Sequence, residues 1–227
     1  PTPTMLYKST RGGDIGTTFE QALLSAYASD GGLFVPETLP TITTVELRSW
    51  AKLRLSEVCA RVMTRFTDLP LSELEPIADS AFKTFNDGNE PPLPLDKVGD
   101  EYFLDTGLGP TLAFKDVGQQ VVARLVDLYL RKRGEHANII VETSGDTGPA
   151  AIAGVAGLKN CDIFVLYPYG RISPVQELQM ITWGDTSNVH VYRTEGDTDE
   201  QAEALKLLFS NRDFMATHKV VSINSIN

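Results

Sequence analysis

The sequence predicts an α/β fold, in which a mainly helical amino-terminal part is followed by a doubly wound parallel sheet. From residue 19 to about residue 85, apolar side chains recur at the spacing of amphipathic helices. After residue 100, short β-branched runs alternate with helical stretches, as they do in βαβ units. The run 86–100 between them is rich in Gly, Pro and Asp, which disfavour both helix and central strand. We therefore predict a helical domain at 1–95 and an α/β domain at 96–227.

The α/β part is expected to contain strands that are joined by helices. The β-branched runs predict strands at 138–143, 161–167, 188–193 and 219–223. Apolar spacing and Gly/Pro signals predict helices at 117 to about 131 and from near Gly148, Pro174 and Thr198. Strands and helices that alternate in this way are typical of one doubly wound sheet.

The composition argues against several classes of partner. With 227 residues, 42% of them hydrophobic, the chain can bury a sizeable core. Thirty acidic and 20 basic residues give a net charge of -10, which repels nucleic acids and anionic lipids. No apolar stretch approaches the roughly 20 residues that span a bilayer, and the first residues lack the apolar core of a signal peptide. We therefore expect a cytoplasmic protein that binds neither nucleic acid nor membrane.

Cysteine and histidine usage predicts no metal site. Cys59 and Cys161 belong to no C-x-x-C or Cys/His cluster, so we expect two small core residues. His136, His190 and His218 share no spacing, so we expect satisfied or surface histidines.

A lysine stands where a helix is predicted to begin. Lys115 follows the turn Gly109-Pro-Thr-Leu-Ala-Phe and precedes an apolar helical pattern. The positive end of a helix dipole disfavours a cation, but it suits an amine that reacts in its neutral form. The apolar neighbours Leu112, Ala113 and Phe114 are expected to desolvate this amine. The alternative is a solvated lysine beside Asp116 as the helix N-cap.

A second candidate site is the segment 143–148, Thr-Ser-Gly-Asp-Thr-Gly, between a predicted strand and a helix. Amides at a helix start bind anions, glycines allow close approach, and the hydroxyls of Ser144 and Thr147 can donate hydrogen bonds. The alternative is an ordinary capped helix. The segment matches neither the dinucleotide signature nor the P-loop signature. Farther along, the amides and hydroxyls of 221–227 would either line a polar pocket or terminate a strand.

Four stretches in this order resemble the threonine synthase family, including its threonine synthase-like branch. They are Tyr7-Lys-Ser-Thr-Arg-Gly12, Asp30-Gly-Gly-Leu-Phe-Val-Pro36, Gly109-Pro-Thr-Leu-Ala-Phe-Lys-Asp116 and Thr143-Ser-Gly-Asp-Thr-Gly148. Supporting resemblance continues through Tyr167-Pro-Tyr-Gly-Arg-Ile-Ser-Pro-Val-Gln-Glu177 and Ser222-Ile-Asn-Ser-Ile-Asn227. The order and the approximate spacing agree over the whole chain.

The resemblance implies a fold-type II enzyme that uses pyridoxal 5'-phosphate (PLP), with Lys115 as the residue that carries the cofactor and moves protons. It implies conversion of O-phosphohomoserine and water to threonine and phosphate. It assigns Ser144, Gly145 and Thr147 to the substrate carboxylate and Asp146 to the ring hydroxyl of the cofactor.

By the same resemblance, Asn224 and Ser225 line the substrate pocket. Arg171 is expected to pair with the substrate phosphate, as is Arg11, because a guanidinium binds phosphate in a bidentate manner. A plain surface role is the alternative for both arginines.

Two departures from the family leave other functions open. Gly107-Leu108 stands where the family has Phe-His, and family members continue into a Gly/Asn-rich loop that cups the cofactor phosphate. We therefore expect a truncated catalytic domain, with three alternatives: a related phospho-lyase that gives 2-oxobutyrate, a non-catalytic binding or secreted signalling form, and an enzyme acting on serine or threonine. Ser9-Thr-Arg-Gly12 argues against the last. Apolar surface left exposed by truncation would favour a homodimer.

Overall fold

The amino-terminal part combines a small sheet with three longer helices. The structure is a computed structural model, and it describes residues 5–25 and 27–223. Strand β1 pairs antiparallel with both β2 and β3 in a sheet that the sequence analysis did not predict. The elements are β1 (Leu6–Ser9), β2 (Thr17–Thr18), α1 (Phe19–Leu23), β3 (Phe34–Pro36), α2 (Thr44–Trp50), α3 (Leu55–Met63) and α4 (Leu71–Phe82).

An exposed hairpin follows a short 3-10 helix, Phe85–Gly88. Its strands, β4 (Leu95–Val98) and β5 (Glu101–Leu104), pair antiparallel and are exposed along their whole length. Gly99 has a φ of +64° in the two-residue connection, a conformation that favours glycine. The hairpin therefore lies within the Gly/Pro-rich run but outside the main sheet.

The carboxyl-terminal part is a parallel sheet with the strand order β8-β7-β6-β9. Because β9 joins β6 on the side away from β7, the winding direction reverses between β6 and β9, and the predicted doubly wound sheet is confirmed. The elements are α5 (Lys115–Arg133), β6 (Ala137–Glu142), α6 (Thr147–Val155), β7 (Cys161–Pro168), α7 (Pro174–Ile181), β8 (Val189–Thr194), α8 (Thr198–Ser210), α9 (Arg212–Thr217) and β9 (Val220–Val221).

One apolar core runs through both parts of the chain. Leu74 from α4, Val126 from α5 and Ile139 from β6 belong to the same buried cluster. Helices α5 and α6 approach closely at Gly154, where an added Cβ would lie 2.8 Å from the backbone oxygen of Gln119. The core crosses residue 95, and the division into domains 1–95 and 96–227 stays a prediction.

The side chain of Asn188 joins three segments beneath the sheet. Its Nδ2 lies 3.1, 3.1 and 3.0 Å from the carbonyl oxygens of Val155, Leu158 and Cys161, and its Oδ1 accepts from Gly157 N at 3.0 Å. The residue is only 9% exposed, so these backbone groups have little access to water. Asn188 therefore caps the end of α6 and fixes the start of β7.

We expect Asn188→Ala to destabilise the fold by about 2 kcal/mol, because it leaves buried carbonyl groups without a donor. The free energy of unfolding in urea measures this change. Ser187→Ala is the control, since Ser187 is exposed and adjacent in sequence. Equal stability of the two variants would contradict the role given to Asn188.

Among the described residues, no helix is long and apolar enough to cross a membrane. Within the same residues, no group of three or more His, Cys, Asp or Glu side chains is placed to hold a metal ion. The carboxylate of Asp162 lies 2.7 Å from His136 Nε2 and 3.5 Å from His190 Nε2. Cys161 is buried, and burial raises the pKa of its thiol to about 12.

Candidate active site

The candidate lysine and the candidate anion-binding loop meet at the carboxyl edge of the parallel sheet. Lys115 begins α5, and its Nζ donates to Thr147 Oγ1 at 2.5 Å, across 32 positions of sequence. Thr147 begins α6, directly after the loop that leaves β6. This edge, beside the change of winding direction, is where α/β sheets bind ligands.

The turn before Lys115 is held by a buried carboxylate. Asp116 is fully buried, and its Oδ2 and Oδ1 accept from the backbone N and the hydroxyl of Thr111, both at 2.8 Å. Burial raises the pKa of Asp116, although the hydrogen bonds from Thr111 act in the opposite direction. An added Cβ on Gly109 would lie 2.5 Å from Asp116 Cβ, so the turn requires glycine there.

Two expectations about this turn are wrong. Asp116 does not cap α5, because the N-cap is Phe114 and the carboxylate of Asp116 reaches back to Thr111 instead. Leu112 and Phe114 are 72% and 64% exposed, so their side chains do not desolvate Lys115 in this chain. Lys115 itself is half-buried. Its amine is instead in contact with the hydroxyl of Thr147 in the loop after β6.

The loop after β6 is shaped by one buried hydroxyl. Thr143 Oγ1 accepts from Gly145 N at 3.0 Å and from Gly148 N at 2.9 Å, and Thr143 is 2% exposed. Gly145 has a φ of +146°, which residues with a side chain rarely adopt. Ser144 is exposed, and its hydroxyl has no hydrogen-bond partner in residues 5–25 and 27–223. The loop thus presents a free hydroxyl beside the amino end of α6.

Asp146 is tied to helix α7 rather than to its own helix. It occupies the N-cap of α6 without a side-chain capping bond, and its Oδ1 accepts from Gln176 Nε2 at 2.7 Å. An added Cβ on Gly145 would lie 2.3 Å from the same Nε2. Gln176 therefore packs directly on the loop, and the sequence analysis did not identify it.

The two candidate arginines lie in different places. Arg171 follows β7 at the same edge of the sheet as Lys115, is exposed, and its side chain has no ion pair within the described part of the chain. Arg11 donates from Nη1 to the carbonyl oxygen of Asp30 at 3.0 Å. It lines a cavity of about 750 Å³ with Arg133 and Lys219, near the amino ends of β6 and β9. Arg11 is therefore at the end of α5 opposite to Lys115.

Asn224 and Ser225 lie outside the described residues. The structure describes β9 up to Val221 and the chain up to Ile223, whose carbonyl oxygen accepts from Gln119 Nε2 at 3.2 Å. The pocket role of Asn224 and Ser225 stays a prediction.

The first two sequence motifs build the small amino-terminal sheet. The hydroxyl of Ser9 donates to Asp30 Oδ1 at 2.6 Å, and Gly32 N donates to the same oxygen at 2.9 Å. Asp30 Oδ2 accepts from Gly13 N at 2.7 Å. These hydrogen bonds, that of Ser9 first, lower the pKa of Asp30. The two motifs therefore contact each other, and their described contacts are structural.

The lowered pKa of Asp30 predicts a pH-dependent contribution to stability. The ionised group stabilises the fold above the ordinary carboxyl pKa of about 4, and this contribution is lost as pH falls through the lowered pKa of the folded state. Asp30→Asn should therefore be less stable than the parent chain at pH 6, with the difference shrinking below about pH 4. Thermal unfolding from pH 2 to 7 checks this. Asp100→Asn, at an exposed hairpin turn, is the control for the loss of one surface carboxylate.

Comparison with known proteins agrees with this arrangement. Residues 6–82 match the family model described as the threonine synthase N terminus. The chain is 39% identical to threonine synthase-like 2 of Xenopus laevis and 41% identical to the threonine synthase of Pseudomonas aeruginosa, with 98% of this chain covered in each case. It covers 48% of each of those proteins. The chain thus spans about half the length of these relatives.

Solved structures show the same fold over the whole chain. The PLP-bound threonine synthase from Brucella melitensis superposes with a TM-score of 0.88 at 40% identity, covering 99% of this chain and 48% of that one. The yeast threonine synthase gives a TM-score of 0.86 at 33% identity, covering 100% and 47%. The fold, the order of the motifs and these similarities lead to one conclusion: the chain belongs to the threonine synthase family and corresponds to the amino-terminal half of its members.

Proposed function

We propose that this chain supplies the lysine half of the active site of a PLP enzyme that converts O-phosphohomoserine and water to threonine and phosphate. The observation that carries the proposal is the contact between Lys115 Nζ and Thr147 Oγ1. In this contact a primary amine lies directly against the loop to which the proposal assigns anion binding. Relatives named threonine synthase support the reaction, and the Brucella melitensis protein is named as PLP bound.

The residues at the sheet edge fit this cofactor and a substrate that carries a carboxylate. Lys115 offers the amine that an aldehyde needs, and the loop beside it offers the free hydroxyl of Ser144 and the amino end of α6. The Oδ2 atom of Asp146 has no hydrogen bond to another described residue, so it is available to the ring hydroxyl. When bound, PLP supplies an electron sink for the charge that develops at the substrate α-carbon.

Lys115 has two tasks in this proposal. With PLP bound, its amine would hold the cofactor, and the released amine would take and return the proton at the substrate α-carbon. Taking the proton needs the neutral amine, and returning it needs the ammonium form. The hydroxyl of Thr147 accepts a hydrogen bond from Nζ, so it orients the amine without adding a charge beside it.

In this proposal, the loop and Arg171 bind different groups of the substrate. The hydroxyls of Ser144 and Thr147, with Gly145 between them, bind the carboxylate at the amino end of α6, where the helix dipole favours negative charge. Arg171 lies on the same edge, exposed and without an ion pair in the described residues, and is assigned to the phosphate. Asn224 and Ser225 extend this polar wall beyond the described residues.

A trapping experiment tests the proposal. The chain is titrated with PLP, reduced with borohydride and digested, and the modified peptide is identified by mass spectrometry. We expect the label on Lys115; no label, or a label spread over exposed lysines, would contradict the proposal. Incubation with O-phosphohomoserine then identifies the reaction, because threonine with phosphate supports it and 2-oxobutyrate identifies a phospho-lyase instead.

A further inference from the structure

Helix α7 contacts both segments that form the candidate site. Gln176 Nε2 donates to Asp146 Oδ1 at 2.7 Å, on the loop after β6. One turn later, Gln179 Nε2 donates to the carbonyl oxygen of Thr111 at 3.0 Å, in the turn that leads to Lys115. Two side-chain amides on one short helix therefore hold two segments that lie more than thirty positions apart in sequence.

Helix α7 is itself firmly attached to the sheet. The phenol of Tyr167, a fully buried residue of β7, donates to Glu177 Oε1 at 2.6 Å. Met180 is fully buried against Gly148, where an added Cβ would lie 2.7 Å from its Sδ. The helix begins with a reciprocal cap, in which Ser173 N donates to Gln176 Oε1 at 3.0 Å. Because α7 is fixed at its start and along its buried face, it can hold the segments that its side chains contact in a fixed position.

The two oxygens of Asp146 are in different environments as a result. Gln176 occupies Oδ1 with a neutral N–H, whereas Oδ2 has no partner in residues 5–25 and 27–223. A lysine or arginine in that place would neutralise the carboxylate, but an amide orients it and leaves its charge in place. Gln176 uses its own Oε1 for the helix cap, so both halves of its amide are committed.

We propose that Gln176 and Gln179 are positioning residues, which together fix the distance and orientation between the Lys115 turn and the 144–147 loop. The inference rests on the proposed function, since it states how one ligand contacts both segments at once. Gln176 orients Asp146 towards the ring hydroxyl of the cofactor, and Gln179 holds the carbonyl of Thr111, whose amide is bound to buried Asp116 beside Lys115.

Three glutamate substitutions separate this role from general stability. Gln176→Glu keeps the oxygen that caps α7 but replaces the donor to Asp146 with a second carboxylate oxygen. Gln179→Glu likewise places an oxygen against the carbonyl of Thr111. Gln21→Glu is the matched control, because Gln21 caps α1 through the same reciprocal bond and its Nε2 donates to no other described residue.

Two measurements are made on each variant of the full chain. The first is the dissociation constant of PLP, followed by absorbance, which we expect to rise about tenfold for Gln176→Glu and for Gln179→Glu. The second is amide hydrogen exchange without cofactor, which we expect to be about tenfold faster at 144–148 for Gln176→Glu and at 111–114 for Gln179→Glu. Gln21→Glu should change neither quantity.

A reversed pair provides the rescue. Gln176→Glu combined with Asp146→Asn lets the introduced amide donate to the introduced carboxylate, so exchange at 144–148 should return towards that of the parent chain. Unchanged exchange in both single variants would overturn the inference, as would no rescue in the pair. If the parent chain fails to bind PLP, the proposed function fails, whereas the exchange measurements still decide the positioning role.

Discussion

Replacing Lys115 with alanine is expected to abolish the borohydride-trapped form of the cofactor completely. The aldehyde of PLP needs a primary amine for covalent attachment, and the amine of Lys115 is the one placed against the loop at the carboxyl edge of the sheet. The fold should survive the change, because the half-buried side chain makes one hydrogen bond whose loss costs about 1 kcal/mol. Absorbance after reduction and circular dichroism measure the two effects.

Lys159→Ala is the control for that result. Lys159 is exposed at the turn before β7, so its removal should leave the trapped band unchanged. A band that persists in Lys115→Ala at the intensity of the parent chain would refute the role given to Lys115. A band that persists equally in both variants would show that the signal comes from nonspecific labelling of surface lysines.

Two glycines predict stability changes of opposite sign. Gly154→Ala should destabilise the chain by about 3 kcal/mol, because its Cβ would lie 2.8 Å from the oxygen of Gln119 and 3.1 Å from Ala123 Cβ. One of these obstacles is backbone, so α5 and α6 must separate to admit the methyl group. Gly118→Ala should stabilise the chain by about 1 kcal/mol, because Gly118 lies inside α5 and the added Cβ meets no atom within 4 Å apart from its chain neighbours and the adjoining helix backbone.

Urea unfolding with a shared m-value compares the two variants. Both variants gain the higher helix propensity of alanine. Stability changes of opposite sign therefore separate the effect of the close contact between α5 and α6 from the effect of helix propensity. A Gly154→Ala chain as stable as the parent would mean that α5 and α6 do not approach as closely as described.

The parallel sheet was predictable because its strands are buried on the core side and carry β-branched residues in compact runs. The strand Cys161–Pro168 extends one residue beyond the predicted 161–167, and Val189–Thr194 is shifted by one residue from 188–193. The strand predicted at 219–223 is shorter, since only Val220 and Val221 pair with β6. Long, apolar runs therefore determine which strands exist, whereas pairing with a neighbour determines where they end.

The strands that the sequence analysis missed have between two and four residues each. The hairpin of β4 and β5 had a local signal, since the dipeptide Gly99-Asp100 is typical of a two-residue hairpin turn. The sheet of β1, β2 and β3 had none. Its geometry depends on Asp30, whose carboxylate accepts hydrogen bonds from the amides of Gly13 and Gly32. Because these two glycines lie far apart in sequence, no local pattern indicates that they share a partner.

The candidate site likewise has a part that was predictable from the sequence and a part that was not. The lysine turn and the loop after β6 were visible as contiguous motifs, and the structure brings them together through Lys115 and Thr147. Gln176 and Gln179 were not visible in this way. In the sequence, Gln176 is an ordinary capping residue and Gln179 an ordinary residue inside a helix, and neither pattern indicates a contact with a distant segment. Their contacts with Asp146 and Thr111 come from the winding of β7 and α7 over the sheet.

The strand order has a consequence for synthesis of the chain. Strand β6 pairs on one side with β7, but its other edge stays open until Val220 has been made, 82 positions after its partner Asn138. At synthesis rates of about 5 to 20 residues per second, that edge is open for roughly 4 to 16 seconds. An unpaired strand edge is a template for wrong pairing. Until β9 arrives, the edge of β6 at Asn138 and Ile139 is therefore open to wrong pairing in the nascent chain.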